Sequence, residues 1–147
     1  MVKLRFELVS PERIVYSDDD VDMVIAPGAD GEMGILPKHA PLLTALGDGE
    51  LRVKKGGDEE CFAVHGGYME VLDNKVIVMA DTAEAADEID VERAEAARER
   101  AERRYRERPE GLDLARVQAA LRCSSVRLKV ARRRKRRPKM EVPRDAG

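Results

Sequence analysis

Four groups of residues in this 147-residue chain have types and spacings that bear on chemistry. The first is "EIDVERAEAARERAERRYRER", from Glu88 to Arg108, in which nearly every third residue is arginine. Either Asp90 and the arginines after it hold something, or they make a capped, solvated helix. The second is "SDDDVD" at 17–22, an acidic run that lacks the glycine and distal glutamate of a calcium loop and is expected to be a solvated turn. The third is Gly66-Gly67, with no P-loop lysine after it and strand character on both sides, which predicts a bulge or a close backbone approach. The fourth is Cys61 and Cys123 with His39 and His65, which form no CxxC or Cys/His ligand spacing and are expected to leave two free thiols and no metal site. No nucleophile, base or metal constellation emerges. The chain is expected not to be an enzyme and to require no cofactor.

The elements that carry these residues divide into two modules of opposite charge. Residues 1–88 hold 8 Lys/Arg against 19 Asp/Glu, whereas residues 89–147 hold 19 against 10. The acidic half reads as strands. "KLRFELVS" alternates Leu4, Phe6 and Leu8 with Lys3, Arg5 and Glu7, the period of a half-buried strand. Seven further strand-sized runs follow, separated by turn residues such as Pro27-Gly28, Gly47-Asp48-Gly49 and Asp73-Asn74. Their close spacing predicts an antiparallel sandwich or barrel. Tryptophan is absent, so the core must be built from Val, Ile, Leu, Met and Ala with few aromatics. In "GEMGILPKHAPLLTAL", Met33, Ile35, Leu36, Leu42 and Leu43 crowd a turn-rich stretch around His39, and the residues leave open whether the fold or a partner buries them.

The basic half reads as two helices. Asp90 stands where an N-cap belongs, and no Gly or Pro interrupts the chain up to Arg108. The apolar stripe is narrow, Ala94, Ala97, Ala101 and Tyr105. After the break at Pro109 and Gly111, Asp113 opens a second helix whose stripe is Leu114, Val117, Leu121, Leu128 and Ala131, interrupted by Ser124 and Ser125. An alanine seam against a leucine seam makes a marginal antiparallel hairpin, able to open when a better partner is offered. The run Arg132 to Arg137 is expected to be solvated and extended. No apolar run approaches the ~18–20 residues needed to cross a bilayer, and "MVKLRFELVS" lacks a signal peptide's apolar stretch, which predicts a cytoplasmic protein.

The blocks "GEMGILPKHAPLLTAL", "FAVHGGYMEV" (62–71), "VMADTAE" (78–84) and "IDVERA" (89–94), in this order and followed by a helical hairpin, resemble the epsilon subunit of bacterial F-type ATP synthases. The resemblance covers nearly the whole chain. It implies an α+β protein of two domains: an N-terminal antiparallel β-sandwich at 1–86 that binds the rotor, an α-helical hairpin at 87–131 that regulates, and a basic flexible tail at 132–147. It implies a non-catalytic central-stalk subunit that couples proton-driven rotation to ATP synthesis. The partners implied are the gamma subunit and the c-ring, and the alpha/beta hexamer when the hairpin extends to inhibit hydrolysis. The implied location is the cytoplasmic face of the bacterial membrane, reached through the complex alone. Glu32, Met33, Ile35, His39 and Leu42 would belong to the rotor interface.

The same resemblance implies regulatory ATP at the I/L-D-x-x-R-A motif. Ile89 and Ala94 would contact adenine, Asp90 would accept from its amine, Arg93, Arg100 and Arg127 would supply positive charge, and Glu84 would lie close to the ligand. There is one departure. Cys123 stands where ATP-binding relatives carry an arginine, and Arg122, one residue away, is turned about 100° around the helix. Losing such a phosphate contact costs ~1.5–3 kcal/mol, or roughly tenfold to a hundredfold in affinity. The alternative is a free-standing protein whose basic hairpin grips nucleic acid through phosphates. The lack of interleaved aromatics weighs against sequence-specific RNA binding, and no nucleic acid is expected as partner.

Overall fold

A computed structural model describes residues 2–136. Eight strands come first: β1 (Leu4–Val9), β2 (Ile14–Val21), β3 (Met23–Gly28), β4 (Gly31–Ile35), β5 (Leu42–Ala45), β6 (Gly49–Lys55), β7 (Asp58–Leu72) and β8 (Lys75–Ala85). A single 3-10 turn (Ala86–Glu88) leads into α1 (Val91–Glu107) and α2 (Leu114–Arg136). The α+β architecture expected from the sequence is the one observed, a β-sandwich followed by two C-terminal helices forming a hairpin.

The strands form one hydrogen-bonded sheet in the order β2-β1-β8-β7-β6-β3-β4, with β5 also on β7. Among the described residues all strand pairings are antiparallel save one, β1 with β8, which the sequence did not reveal. The sheet becomes two layers because β7 is long enough to serve both. Its first half pairs with β6 from Asp58 to Val64, and its second half pairs on the same edge with β5 from Tyr68 to Val71. The change of partner falls at Gly66-Gly67. Register against β8 is constant across it, so the pair is no bulge. It is a close approach: Gly67 has φ +108°, and a Cβ there would lie 2.0 Å from the Met79 carbonyl oxygen.

Between the layers Leu4, Phe6 and Leu8 of β1 meet Val24, Leu51, Val53, Phe62, Val64, Met69, Val71, Val76 and Val78 in one buried cluster. The Tyr16 ring closes its edge, with centroids 6.0 Å from Phe6 and 5.2 Å from Phe62. "SDDDVD" is not a free turn, as the sequence suggested, but mostly the end of β2. Asp18 accepts from Lys55 Nζ at 3.0 Å, and Asp22 from Lys3 Nζ and, at 2.6 Å, from the Gly56 amide. Cations from β6 and from the residue before β1 thus satisfy the acids, which lets the run stay extended.

Asp90 caps α1, its Oδ1 accepting from the Arg93 amide at 3.1 Å. The helix ends at Arg108 in a left-handed conformation (φ 40°), whose amide donates to the Arg104 carbonyl. Asp113 caps α2 through the Arg116 amide at 3.3 Å. Ser124, which breaks the stripe in sequence, is buried without loss because its hydroxyl donates to the Ala120 carbonyl one turn back, at 2.7 Å. Helix α2 continues through Arg136, so the chain from Arg132 to Arg136 is helical rather than extended. Strong helix formers extend an existing helix one hydrogen bond at a time, which here outweighs the repulsion between cations. Arg137 and the rest of the expected tail lie outside the described residues.

Candidate functional site

The seam between sandwich and hairpin is made by α2. Val130 and Ala131 pack with Ala63 of β7, Ala86 of the 3-10 turn and Ile89 in a small buried cluster. This cluster is too small to hold a helix firmly, since ~25 cal/mol per Å² over a few alanines and valines yields only a few kcal/mol. Charge supplies the rest. Arg122, Arg127 and Arg133 project from α2 onto the acids of the sandwich. Arg127 forms a two-pronged pair with Glu84 at the end of β8, its Nη2 donating at 3.3 Å. Arg122 Nε lies 3.4 Å from Asp48 Oδ2, and Arg133 Nε lies 2.9 Å from Glu50 Oε2. Arg13 adds a pair to Glu88 at 2.6 Å, tying the 3-10 turn to the β1–β2 turn. The opposite charges of the two halves therefore meet across one interface.

Burial shapes the titration of this seam. Glu50 is 7% exposed, and burial holds its carboxyl above the usual carboxylate range against the pull of Arg133, Arg52 and Lys129. Burial likewise pushes the Cys61 thiol up to about 12, reinforced by Glu50 and Glu59. Cys123 is pushed up, again chiefly by burial, and His65 is pushed down by burial despite the nearby Asp48. Both cysteines are free thiols.

The residues expected around ATP are distributed along this seam and beyond it. Glu84 and Arg127 are brought together, but as partners of each other. Ile89 and Ala94 are buried, Ile89 against α2. Asp90 spends one carboxylate oxygen on the α1 cap, and Arg93, whose amide it receives, is exposed. Arg100 stands apart, lining with Arg104, Gly111, Arg116 and Val117 a groove at the hairpin's connection.

The expected rotor-interface residues also divide. Ile35 is 1% exposed and belongs to the sandwich core, so it is not available to a partner. Glu32 is exposed and paired with Arg52 at 3.0 Å, while Met33, His39 and Leu42 are half-buried. Sequence reasoning noted Leu36 and Leu43 but passed over the open face that Leu43 shares with residues of β7 and β8. Ala45, Tyr68 and Met79 lie side by side across β5, β7 and β8, with Leu43 two residues along the same face of β5. Leu43, Tyr68 and Met79 are exposed to 68%, 58% and 42%, and Leu36 nearby in sequence is also open. The signal was present in the alternation of "YMEVL" and "KVIVMA", where both strand faces are apolar.

A two-layer sandwich with a charge-clasped helical hairpin is the architecture of a small non-catalytic subunit of the ATP synthase delta/epsilon type. Family models agree: "ATP synthase, Delta/Epsilon chain, beta-sandwich domain" matches residues 3–86, and "long alpha-helix domain" of the same chain matches residues 87–132. The chain belongs to the ATP synthase delta/epsilon family. It is 52% identical over 127 residues to the ATP synthase epsilon chain of Desulforamulus reducens, covering 86% of this chain and 96% of that one. With the epsilon chain of Herpetosiphon aurantiacus it shares 52% over 134 residues, 91% and 98% of the two chains. Among solved structures, a chain of the Euglena gracilis mitochondrial ATP synthase (OSCP/F1/c-ring) matches with TM-score 0.68 at 22% identity, over 92% of this chain and 81% of that one. A chain of the Tetrahymena thermophila mitochondrial ATP synthase central stalk/c-ring matches with TM-score 0.53 at 16% identity, over 90% and 96%. These two likenesses concern the fold. Nothing in them supports the nucleic-acid alternative, and the arginines at 122, 127 and 133 are paired with the protein's own acids. Among the described residues no helix is long and apolar enough to cross a membrane.

Proposed function

We propose that this chain is the central-stalk epsilon subunit of a proton-translocating ATP synthase, bound through its sandwich to the gamma subunit and the c-ring at the cytoplasmic face of the membrane. Its hairpin regulates ATP hydrolysis by leaving the sandwich and extending toward the alpha/beta hexamer. The observation that carries this reading is the seam itself: a helix held by Arg122, Arg127 and Arg133 over a small apolar contact is held by bonds that acidic surfaces elsewhere can replace. The open face of Leu43, Tyr68 and Met79 supports the rotor contact.

The reading extends to a ligand. ATP held along Ile89–Ala94, with Arg93, Arg100 and Arg127 rearranged toward its phosphates, would favour the docked hairpin. Calorimetric titration of the full chain with ATP tests this, and heat lost in Asp90→Ala supports it. Absence of heat in both the native chain and Cys123→Arg removes it. The regulatory reading is tested by reconstituting the catalytic core with the full chain and with a version ending at Glu88. Slower hydrolysis with the full chain is expected, and equal rates would overturn the regulatory claim.

A further inference from the structure

Three elements far apart in sequence each bring one metal-ligating side chain to the same point. Asp48 comes from the β5–β6 turn, His65 from the middle of β7 and Cys123 from α2, and their ligand atoms all lie within 4.8 Å of one another. The imidazole is the informative member. Its side chain is 12% exposed, both ring nitrogens are sealed from water, and neither has a hydrogen-bond partner among the described residues. Buried polar atoms in folded proteins are nearly always satisfied, so two unsatisfied lone-pair or N–H positions on one ring call for a missing partner. Asp48 faces that ring with Oδ1, 3.7 Å from Nδ1, while its other oxygen is turned to Arg122. One carboxylate oxygen is thus oriented by a guanidinium and the other directed to the cluster, the arrangement that outer partners impose on ligands.

We propose that Asp48, His65 and Cys123 bind one divalent transition metal of the zinc class, with water as the fourth ligand, and that the metal pins α2 to the sandwich. The donor set selects the ion. A thiolate and an imidazole with one carboxylate suit zinc and its neighbours, whereas magnesium and calcium require oxygen ligands. Bonds of ~2.0–2.3 Å in a tetrahedron separate ligand atoms by roughly 3.3–3.8 Å, so the cluster closes by about 1 Å through side-chain rotation. On binding, the Cys123 Sγ–H bond breaks, its proton leaves to solvent and the Sγ–metal bond forms, one proton released per ion. Asp48 and the thiolate then neutralise the dication, the Arg122 guanidinium that also faces Asp48 is largely exposed to water, and Arg127 nearby is already balanced by Glu84.

Asp48 and His65 belong to the sandwich and Cys123 to the hairpin, so the complete site exists only when α2 is docked. Metal therefore favours the docked state by mass action. The binding site stands without the regulatory reading, and only its effect on the switch rests on it.

The test uses the full chain with cobalt(II) as a spectroscopic substitute for zinc. Expected are a thiolate-to-cobalt charge-transfer band that saturates at one equivalent, displacement by zinc, and one proton released. Cys123→Ser should abolish the band, and His65→Ala and Asp48→Asn should weaken binding at least about tenfold. Cys61→Ser should change nothing. No band, or a band that survives Cys123→Ser, overturns the site. If serine at 123 disturbs folding, X-ray absorption of the native zinc complex decides: one sulfur among nitrogen and oxygen ligands supports the site, and no sulfur overturns it. Amide exchange along α2 should slow with zinc, and unchanged exchange in the metal-loaded chain overturns the pinning. None of these readouts involves ATP hydrolysis, so this site and the regulatory function fail separately.

Discussion

In the sandwich, Phe6, Phe62, Leu4, Leu8, Leu51 and Met69 are sealed between two layers, whereas the hairpin and its seam bury mainly Ala94, Ala101, Val117, Leu128, Val130 and Ala131, with Ser124 among them. Apart from Leu128, the largest sealed side chains belong to the sandwich, and the seam is made of small ones bordered by arginine-carboxylate pairs. Removing a large buried side chain costs ~3–5 kcal/mol, and a partly exposed ion pair contributes only ~0–1 kcal/mol. One region is thus sealed by large apolar side chains, and the other is joined to it through a small apolar contact and ion pairs. Charge screening leaves a core without charged groups untouched, while it weakens a seam of ion pairs.

That contrast is broken most strongly from the sandwich side. Gly67→Ala places a Cβ 2.0 Å from the Met79 carbonyl oxygen at a positive φ, so β7 and β8 must separate. Phe62→Ala leaves a void beside Phe6 and Tyr16 and is expected to cost ~3–5 kcal/mol. Urea unfolding should show both variants losing sandwich and docked hairpin together, because α2 then has no surface to dock on. A variant that lost the hairpin while keeping the sandwich's midpoint would contradict the hierarchy.

A smaller effect separates the two regions. Arg127→Ala removes a half-buried pair and strands Glu84, at a cost of about 1 kcal/mol. Amide exchange in α2 should quicken several-fold while the sandwich's thermal midpoint stays in place. Raising salt should shrink the gap between variant and native chain, since screening weakens the pair already. Equal exchange at low salt would show that the Arg127–Glu84 pair does not hold the helix.

The smallest effect sits where the regions meet. Glu50 keeps its proton to higher pH in the folded chain than the 4.5 of an ordinary glutamate. The folded state therefore binds more protons between 4.5 and the raised value, and stability is gained as pH falls through that window and lost as it rises. Glu50→Gln should flatten this slope in urea unfolding and leave the sandwich more stable at neutral pH. The same change removes the nearer of Arg133's two carboxylate partners and leaves Glu59 at 4.0 Å, so α2 exchange should quicken slightly. A slope that persists in the glutamine variant would assign it to another group.

Much of this was legible in short windows. The alternation of Leu4, Phe6 and Leu8 marks a strand, and Asp90 and Asp113 mark helix starts, because periodicity and capping depend on neighbours a few residues away. Ile35 shows where such reading stops: one apolar residue among several in a loop-like stretch, assigned to a partner and found in the core. Only the pairing of β4 with β3 turns its side chain inward. The acids at 18 and 22 looked solvated because Lys55 and Lys3 reach them from elsewhere in the chain.

By itself the sequence determined the two modules, their opposite charges, the strand-rich and helix-rich compositions and the family blocks that connect them. Tertiary structure alone decided which charges meet, which apolar residues stay open and which ligating side chains converge. Asp48, His65 and Cys123 show no ligand spacing along the chain, since ligand-spacing patterns register only donors carried close together on one or two neighbouring elements. They become a cluster when β7 spans both layers and α2 lies across it, a proximity fixed by long-range packing that no local pattern encodes.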